Sequence, residues 1–180
     1  ATYQRSTEPV AGNERDEQNY SRALLKRPSA EVMLDAVCQT TGVPEKFSGT
    51  PAGSRAVELW DNKTAHYFLR LFGRPNRTTA CSCERSVAPN VAQVLHLMNS
   101  PTVQQKLQHT GGRIAELVRT QADEGKLVDE MYLTFFTRYP SDTERQAAVA
   151  YLNRPNTTRL DAAQDLAWSL LNTLEFSFNH

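Results

Sequence analysis

The sequence predicts an all-α fold, a single irregular domain of about seven helices with one long ordered loop. Three observations predict it. Beyond residue 20, apolar side chains recur at three- and four-residue spacings, the period that gives a helix one buried face. Cap-forming residues precede these runs, and glycine or proline closes them. No convincing sheet pattern interrupts them, and no repeat recurs at solenoid periods.

Residues 1–20 are polar, with isolated Tyr3, Val10 and Tyr20 and no sustained period. They read as an extended lead-in from a preceding domain, leaving 21–180 as the helical domain. Ser29 is placed to cap "AEVMLDAVCQTT", whose Met33, Ala36, Val37 and Thr40 share a face, with Gly42 and Pro44 closing it. Residues 43–61, rich in Pro, Gly and Ser, form the long loop, with a short extended piece at "RAVEL". In "TAHYFLRLFGRP", Tyr67, Phe68, Leu71 and Phe72 fit one helical face.

Val91, Val94, Leu95 and Met98 mark the next helix, and Ser100 with Pro101 opens another. Amphipathic runs follow in "GGRIAELVRTQ" and "GKLVDEMYLTFFTRYP", the latter through Leu127, Val128, Met131, Tyr132, Phe135 and Phe136. Ser141 and Glu144 have the capping-box spacing ahead of Ala148, Val149 and Leu152. A last stripe joins Leu160, Ala163, Ala167, Leu170, Leu171 and Leu174, with Trp168 and Phe176 nearby.

The chain's 180 residues suffice for a substantial core. Twenty basic and twenty acidic side chains cancel, which removes the electrostatic footprint of a general nucleic-acid binder. No apolar run is long enough to span a bilayer, and residues 1–20 lack the charged and apolar regions of a signal peptide. The start, without Met, reads as a piece of a longer polypeptide.

Chemical signatures are few. Phosphate-cradling glycine loops, HExxH, GxSxG and CxxCH are absent, and no cofactor is expected. What stands out is "RTTACSCERS", with Cys81 and Cys83 one residue apart and Cys38 the only other cysteine. A direct bridge between Cys81 and Cys83 is disfavoured, because Cα atoms two apart in an extended chain are separated by about 6.6–7.2 Å. A bridge from Cys38 to either, three unbridged thiols, or a metal held by Cys81, Cys83 and His96, with His66 or Cys38 to complete four ligands, remain as alternatives. Arg70, Arg74, Arg77 and Arg85 cluster around the pair and have the chemistry to hold an anion or carboxylate, though Asp61 and Glu84 are the expected ion-pair partners.

Several blocks carry a family likeness: "SAEVMLDAVCQTTGVPEKFSGTPAGSRAVELWD", "YFLRLFGRPNRTTACSCERS", "AQVLHLMNS", "MYLTFFTRYPSDTER" and "LAWSLLNTLEFSFNH". In this order they resemble the planctomycete-specific domain of unknown function 1553, across essentially the whole chain. The resemblance implies a C-terminal module of large exported proteins, often with a cytochrome c domain upstream, and brings no established activity. It points to Arg77, Cys81, Cys83, Glu84 and Arg85, to Gly73, Arg74 and Pro75, and to Asn172, Glu175, Phe176 and Asn179 as motif positions. Ser82 departs from the pattern, where an acidic residue is usual.

Two functions are therefore expected as alternatives. One is a non-catalytic interaction or structural module, contacting upstream domains through the exposed part of the 43–61 loop and the arginine cluster. The other is a metal, redox or hydrolytic site around Cys81 and Cys83, completed by those upstream domains.

Overall fold

A computed structural model describes residues 8–16, 18–19, 21–23, 25–59, 64–74 and 91–178, and among these residues it has helices and no strand. The first helix, α1 (Ala30–Thr41), forms where the caps place it. Ser29 Oγ accepts from Val32 N, and Gly42, at φ 70°, returns its N–H to Cys38 O. Met33, Leu34 and Val37 are its buried apolar face.

The "RAVEL" segment is a 3₁₀ turn (Ala56–Glu58), not the extended piece the sequence suggests. A long-range bond decides this. Asp35 of α1 accepts from Ala56 N at 2.7 Å and Val57 N at 3.1 Å, while Glu58 accepts from Arg55 N at 2.8 Å. The turn's free donors thus meet a carboxylate from another element.

The short helix α2 (Tyr67–Leu71) buries Phe68, Leu69 and, just beyond it, Phe72. Phe68 and Phe72 stack at 4.2 Å, which turns Tyr67 outward, 60% exposed, against the expected face. Arg27 ties the segment just ahead of α1 to this helix, donating to Phe72 O and lying over the Phe72 ring.

A similar rotation occurs in α3 (Val91–Asn99). Leu97 and Gln93 face inward, Gln93 donating to Leu71 O at 3.0 Å, and Leu95 is 53% exposed. Ser100 and Pro101 begin α4 (Pro101–Leu107) as expected, though the Ser100 hydroxyl makes no cap bond.

In the C-terminal half, α5 (Arg113–Thr120) and α6 (Glu124–Phe136) precede α7 (Asp142–Leu152), which carries the expected Ser141–Glu144 capping box. The final apolar run is two helices, α8 (Arg159–Leu171) and α9 (Leu174–Ser177). The chain breaks at Asn172–Thr173 because Thr173 caps a new turn, its hydroxyl accepting from Phe176 N, and this leaves Leu174 69% exposed instead of on the stripe.

Two helices organise the packing. One hub is α1, which touches α2, the 3₁₀ turn, α4 and α5; the other is α8, which touches α4, α5, α6, α7 and α9. Since α4 and α5 meet both hubs, the halves share one core. Ala162, Ala163 and Ala167 of α8 are fully buried with Leu171, beside Leu127, Val128 and Met131 of α6. Small side chains let α8 approach its neighbours closely, and α1 meets α5 through a similarly tight junction: a Cβ on Gly42 would lie 3.0 Å from Arg113 N.

Candidate functional site

Polar chemistry gathers where the end of α1, the loop after it, α2, α3 and α4 converge. After Gly42 reverses the chain, Val43 N bonds Cys38 O, and the carbonyls of Val43 and Pro44 turn toward α4. Lys106 meets them there. Its Nζ donates to Val43 O at 3.0 Å and Pro44 O at 3.3 Å, and lies 3.1 Å from Glu45 Oε2 as an ion-pair partner. Only 8% of the Lys106 side chain is exposed.

Glu45 also faces His66, whose Nε2 is 3.9 Å from Oε1, beyond hydrogen-bond length and an ion pair only when the imidazole is protonated. His66 first, then the ammonium of Lys106, hold the Glu45 carboxyl at about 2 against the burial that raises it. Cys38 is a free, half-buried thiol beside this pair. Burial pushes it above its ordinary value, and the nearby Lys106 charge only partly opposes that shift. An activated nucleophile shows the reverse direction.

His96 of α3 completes the neighbourhood from the aromatic side. Its ring lies 5.2 Å from Tyr67, 5.6 Å from Phe68 and 6.4 Å from Phe72. Burial, then the charge of His66, keep it below the ordinary histidine value. His96 Nε2 and His66 Nδ1 are both shielded from solvent and have no hydrogen-bond partner among the described residues. Among the described residues, no group of three His, Cys, Asp or Glu side chains is arranged to hold a metal ion.

Of the positions singled out by sequence, Pro75, Arg77, Cys81, Cys83, Glu84, Arg85 and Asn179 lie outside the described residues, as does the expected partner Asp61. Arg74 is inside the fold. Its side chain is 5% exposed, its Nε is 3.3 Å from Glu31 Oε1, and its Nη2 donates to Leu59 O at 3.1 Å. That burial removes Arg74 from the exposed contact surface expected of it. Arg70 remains outside, its guanidinium 5.8 Å from the Tyr67 ring centre.

Sequence reasoning missed Glu45 and Lys106. The available signal was Lys106 itself, which shares an apolar face with Val103 and Leu107 at helical spacing. It also missed the role of Glu175. Arg138 binds Glu175 and Glu144 together, so this part of the closing motif is a structural clasp.

Comparison with known families finds a match over residues 1–152, which ends with α7. No curated protein and no solved structure matches the chain. The matching family, PSD1, is described as protein of unknown function (DUF1553), and over that span the chain belongs to it.

Proposed function

We propose that this domain is a non-catalytic helical interaction module of a larger exported, planctomycete-type multidomain protein, which packs against upstream domains of its own polypeptide. A cytochrome c domain is the first of these to test. The observation that carries the reading is the outward face of α2 and α3. Tyr67 and Leu95 are both more than half exposed, the Tyr67 ring touches His96 beside Leu95, and Arg70 lies over it. Tyrosine and arginine are enriched among the residues that dominate binding energy at interfaces. The raised Cys38 thiol and the Glu45 and Lys106 charges, committed to each other, also favour a structural role over turnover.

Calorimetric titration of this domain with the separately produced upstream region of its parent tests the proposal. Binding is expected, weakened at least about tenfold by Tyr67→Ala combined with Leu95→Ala, since one interface hot spot is worth about 2 kcal/mol or more. Absence of binding, or binding indifferent to both substitutions, refutes it.

A second reading rests on the His66 and His96 nitrogens that have no partner among the described residues: a metal or redox/hydrolytic site built around Cys81 and Cys83, with His96, and completed by upstream domains. Stoichiometric metal in the purified protein, lost on His96→Gln, would favour it. Metal-free protein with full binding to the upstream region would exclude it.

A further inference from the structure

We draw no further inference here: the strongest candidate, the Cys38–Glu45–His66–Lys106 cluster where α1, the loop after it and α4 meet, belongs to the site already described.

Discussion

Arg138 holds Glu175 through two hydrogen bonds, Nε to Oε1 at 2.6 Å and Nη2 to Oε2 at 2.7 Å. The same guanidinium donates twice to Glu144 at 2.9 Å, and its carbon lies 5.5 Å from the centres of both the Tyr132 and Phe136 rings. Glu144 is itself the capping residue that accepts from Ser141 N. One arginine therefore joins the end of α6, the start of α7 and α9.

The first prediction concerns this clasp. Arg138 is more than a third exposed, so solvent weakens each pair, but bidentate geometry retains a measurable coupling. A double-mutant cycle with Arg138→Ala and Glu175→Ala should give about 1 kcal/mol of coupling between the two residues. Strictly additive losses in chemical denaturation would mean the clasp contributes nothing to stability.

The second prediction concerns where the folding unit ends. The family match stops at 152, yet Ala162, Ala163, Ala167 and Leu171 of α8 are fully buried, and Trp168 donates to Met98 O at 3.0 Å. Leu171→Ala should cost about 2–5 kcal/mol, the usual range for a buried leucine. Deleting 160–180 should abolish cooperative unfolding, and a truncated protein melting at the unchanged midpoint would overturn the assignment.

Features decided within a few residues were legible in the sequence. Ser29 and Ser141 cap the helices their spacing indicates, and all six apolar residues named for α6 are buried or half-buried. Features decided across the chain were not. "RAVEL" becomes a 3₁₀ turn because Asp35, 21 residues earlier, supplies its cap. Leu95 points outward because Gln93 finds an acceptor on Leu71, and no periodicity rule anticipates a buried glutamine taking the inward position. The candidate site was half legible. His96 and Cys38 were noticed for their chemistry, whereas Lys106 was hidden within an apolar stripe.

The third prediction concerns acid. The folded Glu45 carboxyl lies at about 2, below its ordinary 4.5, so its contribution is present above the unfolded value and is lost as pH falls from about 4.5 through 2. Its side chain is 19% exposed, linkage sets an upper bound of about 3 kcal/mol at neutral pH, and the long 3.9 Å contact to His66 holds the contribution nearer about 2 kcal/mol. Glu45→Gln should lose stability of that order at pH 7 and flatten the acid limb between pH 4.5 and 2. An unchanged slope in urea unfolding across that window would contradict the assignment, because Glu144, also held at about 2, titrates in both proteins.

The fourth prediction is steric. Gly42 has φ 70°, and an added Cβ would lie 3.0 Å from Arg113 N and 3.1 Å from Arg113 Cβ. Left-handed backbone alone costs a non-glycine residue about 1–2 kcal/mol, and the crowding against α5 adds to it. Gly42→Ala should thus destabilise by at least that amount, while Gly49→Ala, with the same sign of φ but nothing within 4 Å, should cost only the backbone part. Equal losses in the two variants would show that the α1–α5 junction is not tight.

The last prediction tests whether Cys38 is a packed thiol held by a clamp. Burial raises its proton affinity and the Lys106 charge works against burial, so removing that charge should raise it further. Lys106 also anchors Val43 O and Pro44 O, and its loss leaves both carbonyls without that donor. In a Cys81→Ser, Cys83→Ser background, the pH–rate profile for alkylation of Cys38 should have its midpoint above the ordinary thiol value. Lys106→Met should shift that midpoint upward, provided the loop after α1 keeps its position. Two readings of the same variant separate charge from packing: amide exchange over 43–47 reports whether the loop has opened, and the alkylation midpoint reports the lost cation. An unchanged or lowered midpoint with unchanged exchange would show that the ammonium does not hold the thiol's value down, and the clamp would then have no such electrostatic link to Cys38.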